Sequence, residues 1–452
     1  MSDSETGDRP APSASSPGGV PVSAGYARYA LTLLLVIYIL NFLDRQIVNI
    51  LAEPIKNELG LADWQLGLMS GFAFAVFYCV LGIPIARFAE TRSRPAIIAS
   101  SVALWSMFTA LCGTAQNFAM LCLFRVGVGV GEAGCTPPAH SLITDYTPRE
   151  KRASALSFYS MGVPLGSLIG LAVGGLIADK FGWRAAFLLA GAPGLILGAL
   201  AFFTLRETRS KVKADIVAAR AAQPSFGATM RFLSLKKTFW FIAMGAALKS
   251  FISYGQAPFL ASFFLRNHTE AVASLADGFN LQSIGFLGVA LGLISGVFGA
   301  LSSMVGGWVA DKVSVSDIRR SMIAPALAVL VSVPIFIVML SVTNVNLALT
   351  LLIIPYLLNN LWYGPVYATT QGLVPPNMRA TAAAILLFII NLIGLGLGPL
   401  FVGIASDLFA GPAGMGSAQG IRWALIVTSL FGLLSFGCFW MARRTIAQEM
   451  VS

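Results

Sequence analysis

The sequence predicts an all-α membrane protein of about twelve transmembrane helices, arranged as two six-helix bundles related by a parallel pseudo-twofold repeat. Three observations carry that expectation: a composition too apolar for a water-facing surface, twelve apolar runs of bilayer length, and a residue pattern of the first half that returns in the second. Of 452 residues, 56% are hydrophobic and 11% charged, with a mean hydropathy of +0.78. A soluble domain carries roughly 25% charged residues because its surface faces water. So few charges cannot cover a globular surface, so lipid must be the main solvent.

The apolar runs lie at about 27–50, 64–87, 96–115, 118–140, 153–177 and 185–205, then 238–265, 283–309, 320–342, 346–373, 379–406 and 421–441. Each suits a helix, which needs roughly 20 residues to cross the hydrocarbon layer. Residues 1–25 are rich in Ser, Gly, Pro and acidic residues and lack a basic stretch before an apolar run. They read as a disordered cytoplasmic tail, with the first apolar run retained as a helix. The expected organisation is a first bundle over 26–205, a cytoplasmic linker over 206–237 opening with RETRSKVK, a second bundle over 238–443 and a cytoplasmic tail over 444–452.

On this plan 22 of the 30 Lys and Arg residues fall on the side of the N-terminus, five on the other side, and three, Arg45, Arg125 and Lys249, within the apolar runs. That bias places both termini in the cytoplasm. It also leaves no basic face apart from the membrane edge, which removes nucleic acid as a partner despite a formal charge of +10.

The repeat is sharpest at the ends of the fourth and tenth runs. Pro138 precedes Arg152 by 14 residues and Pro365 precedes Arg379 by 14, within PAHSLITDYTPREKRASA and PVYATTQGLVPPNMRATA. GGLIADKFG (174–182) answers VGIASDLFA (402–410). Parallel repeats are one of the architectures of secondary transporters, with the substrate site between the halves. Nothing suggests catalysis. The sequence has no phosphate-binding lysine loop, no GxSxG elbow and no Cys/His cluster. The five cysteines sit in apolar runs as small packing residues, and His140 and His268 alone make no metal site. The expected cofactor set is empty, with protons as the coupling ion. A membrane enzyme or sensor would need a catalytic cluster or a soluble output domain.

Residues 307–312 resemble the loop motif of the major facilitator superfamily, Gly-x-x-x-Asp-Arg/Lys, at Gly307, Asp311 and Lys312; its first-half counterpart is degraded to Ala86, Glu90 and Arg94. Within that superfamily, NFLDR (41–45), RVGVGVGEA (125–133) and SFYSMGVPLGSLIG (157–170) resemble the spinster family of sphingolipid and lysophospholipid transporters. The resemblance implies alternating access, proton coupling, location in a bacterial inner membrane, and a cavity lined by helices 1, 4, 7 and 10. It implies a cytoplasmic gating motif at Glu90, Arg94, Gly307, Asp311 and Lys312. The expected partners are an amphipathic or anionic small molecule and the bilayer, for a monomer; the alternative is an uncoupled facilitator or lipid translocator.

A charge at bilayer depth costs about 2.5–3.5 kcal/mol on insertion scales, so each is a functional candidate. Arg125 and Glu132 are two turns apart on one face of segment 4. With Asp44 and Arg45 of segment 1 they form the expected proton-coupling group: Asp44 as the main protonation site, Arg45 and Arg125 tuning it, and Glu132 as a second proton site or the substrate's counter-charge. The alternative is a pair of structural ion pairs. Lys249 either meets an anionic substrate group or snorkels to an interface. Asn359, Asn360, Trp362 and Tyr363 offer a mixed amide and aromatic wall for an amphipathic ligand, or ordinary packing. Gly162, Gly166, Gly170 and Gly174, with Gly394, Gly396 and Gly398, read as the sliding contact between halves. Pro137 and Pro138 kink segment 4 beyond Glu132, as a gate or a simple end.

Overall fold

The computed structural model describes residues 22–208, 225–314 and 318–451, and no strand occurs among them. Ten described helices are long and apolar enough to span a bilayer. One of them, Ser154–Thr204, holds two spans, because Gly182 at φ 80° and ψ 166° turns the chain in its middle. Lys237–Asn267, 31 residues long and buried along most of its length, completes twelve. The spans are α1 (Ala24–Leu59), α2 (Asp63–Ala89), α3 (Arg94–Cys112), α4 (Phe118–Tyr146), α5 (154–181), α6 (183–204), α7 (Lys237–Asn267), α8 (Ser283–Trp308), α9 (Ile318–Ser341), α10 (Val345–Gly372), α11 (Pro376–Ala410) and α12 (Gly416–Glu449). The protein is a multi-pass membrane protein.

The helices run beyond the apolar windows where charged residues find partners. α1 continues past the expected limit at 50 to Leu59, where Glu53 meets Arg266, Lys56 meets Asp63, and Glu58 accepts from Trp183 and Arg184. Helical hydrogen bonding needs no apolar side chains, so the extension is invisible to hydropathy. Two further helices escape it for the same reason: Phe226–Ser234 in the linker, capped by Ser225, and Thr269–Asp277 between α7 and α8.

Small residues set the packing within each half. The glycine stripe of α5 does not lie between the halves. A Cβ at Gly162, Gly166, Gly170 or Gly174 would meet Tyr38, Ile39, Leu43 and Ile47 of α1, in the same bundle. Gly394 and Gly398 likewise face Ser250 and Gly255 of α7, while Gly396 alone approaches Ala75 across the interface. A four-residue spacing of small side chains specifies a close helix contact without naming the partner helix.

The halves meet through α5 against α8 and α2 against α11. There Gly288 packs on the Leu171 carbonyl and Gly67 on the Pro399 carbonyl, so close that a Cβ would stand 2.6 Å and 2.2 Å from those oxygens. We expect Gly67→Leu to wedge this contact apart, lowering the melting temperature of the purified protein by several degrees, as overpacking of a tight helix contact does.

The apolar cores show which end is shut. One cluster joins residues of both halves, including Leu51 and Leu66 with Phe259, Phe264, Val402 and Ile421. It lies toward the end that carries Leu59, Asp63, Asn267 and Ala410. At the opposite end, which carries Arg94, Thr204 and Arg379, the cores separate. One is built around Leu34, Val102 and Tyr146 of the first half, the other around Phe239, Met322 and Ile446 of the second. The apolar core is continuous across the halves at one end and divided at the other, where of the second half only Leu395 and Tyr254 pack on the first-half core.

Candidate functional site: buried charges and a second-half pocket

Two helices, one in each half, are broken at matching places. The helical pattern of α4 lapses after Glu132 and resumes at Thr136, with Pro137 and Pro138 in the first turn of the restart. α10 lapses after Leu358 and resumes at Tyr363. Pro138 and Pro365 are repeat counterparts. Discontinuous helices at membrane depth are tolerated where the freed backbone lines a cavity or is buried in protein.

A cation from the first helix of each half holds each break. Arg45 Nε donates to Glu132 Oε2 at 2.6 Å. Lys249 Nζ donates to Asn359 Oδ1 at 2.7 Å and to Ser253 Oγ at 3.0 Å. The arrangement is common to both halves, but the acceptor differs: a carboxylate in the first, a neutral amide in the second.

The four first-half charges gather as expected, with partners that spacing did not give. Arg45 pairs with Glu132 and lies over the rings of Phe42, Phe74 and Tyr78, within 5.1 Å of each centroid. Arg125 lies 5.2 Å from the same Phe74 ring, so this phenylalanine serves both guanidiniums. Asp44 is not bonded to Arg45. Its Oδ2 accepts from Thr109 Oγ1 at 3.1 Å, while Arg125 and Glu132 are its charged neighbours. Asp44 and Glu132 are each 1% exposed and Arg125 2%. Several polar atoms here have no hydrogen-bond partner among the described residues: Asp44 Oδ1, Glu132 Oε1, Asn41 Oδ1, and Arg125 Nε and Nη1. Buried polar atoms are ordinarily satisfied, so this cluster stands out in the first half.

In the second half Lys249 is 7% exposed, and its bonds go to neutral groups only. It lines a pocket between α7, α9, α10 and α12. Ser253, Gln256, Asn359 and Ser429 supply polar atoms near it, and Ile252, Leu260, Val329, Val333, Phe336 and Tyr356 form apolar walls. A single cation above an apolar chamber complements an amphipathic anion.

The other predicted wall residues divide. Asn360 turns away from this chamber and donates to the Gly299 carbonyl and Ser303 Oγ of α8. Trp362 is buried and stacks on Tyr363 at 4.0 Å, and Tyr363 in turn lies parallel to Tyr367.

Of the expected gating motif, Gly307 lies exposed near the end of α8, and the side chains of Glu90, Asp311 and Lys312 lie outside the described residues. Arg94 is described. Its guanidinium reaches Ser141 Oγ at 2.7 Å, Asp145 Oδ2 at 2.6 Å and Glu207 Oε1 at 3.0 Å. All these contacts stay within the first half, tying α3 to α4 and to the segment after α6, so this arginine does not bridge the halves. Asp145 and Glu207 keep partial access to water, which limits the cost of losing the arginine. We expect Arg94→Ala to cost about 1.5–3 kcal/mol of stability, read as a lowered melting temperature, with Arg94→Lys recovering little of it for want of the planar fork.

Residues 34–399 match the family model described as Major Facilitator Superfamily. An MFS-type efflux pump of Mycolicibacterium smegmatis is 32% identical over 425 residues, covering 93% of this chain and 94% of that protein. Two crystal structures of a bacterial homolog to the human lysosomal transporter spinster are similar throughout. One, inward-facing and unoccupied, has a TM-score of 0.82 at 31% identity; the other, inward-facing and occupied, has 0.80 at 30%. Each covers 95% of this chain and 100% of its own. The chain belongs to the Major Facilitator Superfamily and is a transporter of spinster type, not an enzyme.

Proposed function

We propose that the chain is a proton-coupled secondary transporter that moves an amphipathic, lipid-like or organic anion by alternating access across a bacterial inner membrane, with both termini in the cytoplasm. The observation that carries this reading is the group of buried, incompletely bonded charges around Phe74, beside a cation-capped apolar chamber in the other half. The bias of Lys and Arg toward the side of the termini orients the divided end to the cytoplasm. That agrees with the inward-facing description of the similar structures.

On this reading Asp44 takes up the proton at its open oxygen, next to Arg125. Glu132 holds Arg45 at the break in α4. A proton on Glu132 would release Arg45, loosening a contact that fixes α1 to α4. The substrate's anionic group meets Lys249 and competes with Asn359 for it, while the apolar part enters the chamber. Both events act on a helix break next to the interface, which gives proton and substrate a common mechanical target.

The test uses proteoliposomes with a trapped pH indicator and labelled lysophosphatidate as probe. Coupled transport predicts accumulation that reverses direction with the imposed pH gradient, accompanied by proton flux. Equilibration independent of the gradient, without proton flux, would replace this reading with the uncoupled facilitator or lipid translocator.

A further inference from the structure

The closed end is held by two carboxylates that each cap a helix of the opposite half. Asp407, near the end of α11, accepts from the backbone N–H of Asp63 at 3.1 Å and of Trp64 at 2.8 Å, the first residues of α2. Asp179, near the end of α5, accepts from the backbone N–H of Gln282 at 2.8 Å, immediately before α8. The Gln282 side chain donates back to the Asp179 carbonyl at 2.9 Å. The two sites are related by the repeat, since Asp179 and Asp407 hold the same place in GGLIADKFG and VGIASDLFA.

We infer that Asp179 and Asp407 form a paired latch of crossed helix caps that sets the balance between the inward-open and outward-open states. The first N–H groups of a helix have no partner within it, and a carboxylate satisfies them while complementing the positive end of the helix dipole. From its own half α2 caps only the Ala62 N–H, through Gln65, and α8 supplies no side-chain cap. Each borrows it from the helix that must move away when the outer end opens. The closeness this demands is built in: a Cβ at Gly285 would stand 2.9 Å from Asp179 Cγ, and one at Gly403 would stand 2.3 Å from the Asp63 carbonyl. Rocking the halves breaks both caps together, so their contributions multiply in the conformational equilibrium. The α2 side is reinforced by Arg266 and Ser406, which reach the Asp63 carboxylate from the second half at 2.8 Å and 2.6 Å. This latch rests on alternating access alone and is indifferent to the substrate and to the coupling ion.

The decisive measurement is the distance between spin labels at Gln116 and Ser417, exposed at the closed end on opposite halves, with the five native cysteines replaced by alanine and the full chain in lipid nanodiscs. Asp179→Ala and Asp407→Ala should each raise the ratio of long to short distances about fivefold, and the double variant about 25-fold. Asp179→Asn should stay near wild type, because only one carboxylate oxygen is used and the amide oxygen can replace it. Asp407→Asn should fall between, because Asp407 uses both oxygens. Wild-type distance distributions in both alanine variants would overturn the latch, as would Asp179→Asn behaving like Asp179→Ala. Should the double variant fail to fold, the contrast of the single alanine and asparagine variants decides the matter. Loss of proton coupling in the transport assay would leave these distances unchanged.

Discussion

Asp44→Asn is expected to abolish accumulation against a gradient while leaving exchange of substrate across the membrane. Asn is isosteric, and its amide oxygen still accepts from Thr109, so the packing of α1 against α3 survives. What it cannot do is bind and release a proton at the oxygen that now has no partner. The size of the effect follows from the driving force. A gradient of one pH unit supplies about 1.4 kcal/mol per proton, which for one coupled proton sustains about tenfold accumulation. Wild-type vesicles should approach that ratio and invert it when the gradient is inverted. Asp44→Asn should settle near unity in both directions, with counterflow of labelled against unlabelled substrate retained. Tenfold, reversible accumulation by the variant would remove Asp44 from the coupling mechanism. Glu132→Gln would then become the informative variant, since it keeps an acceptor for Arg45 but loses the charge.

Much of the architecture was legible because lipid imposes a one-dimensional rule: apolar runs of sufficient length, and little else, can span. Pro137 and Pro138 pointed to the break in α4, whereas the matching break in α10 after Leu358 was not foreseen. The identities of partners were not legible. Asp44 and Arg45 are neighbours in sequence, yet successive residues on a helix point roughly 100° apart, so one meets Thr109 of α3 and the other Glu132 of α4. The α5 glycines declared a close contact and it exists, but against α1. Phe74 and Thr109 carried no signal, being ordinary residues of apolar helices whose importance comes from what converges on them. Ser253, Gln256 and Ser429 did carry one. Polar side chains within apolar runs are uncommon enough to flag, and together they outline the second-half chamber.

That chamber yields the other large expected effect. Lys249→Met should weaken binding of lysophosphatidate by roughly tenfold to a hundredfold, the range for a hydrogen bond to a charged group in a buried site. Met keeps most of the stem and its packing, so the change isolates the ammonium. Asn359 does not lose its place when Lys249 goes, because Ser253 already donates to the same amide oxygen at 2.8 Å. The break in α10 therefore persists. The variant also no longer holds a buried cation with only neutral partners, so its melting temperature should be unchanged or higher. A monoacylglycerol of equal chain length is the necessary control. It fills the same apolar walls without a charge, and its affinity should hold or rise in Lys249→Met. If both ligands weaken equally, Lys249 shapes the chamber without reading charge, and the anionic half of the proposed substrate loses its support. If only the anion weakens, the asymmetry between the halves acquires a meaning: the break paired to a carboxylate answers to protons, and the break paired to an amide answers to the cargo.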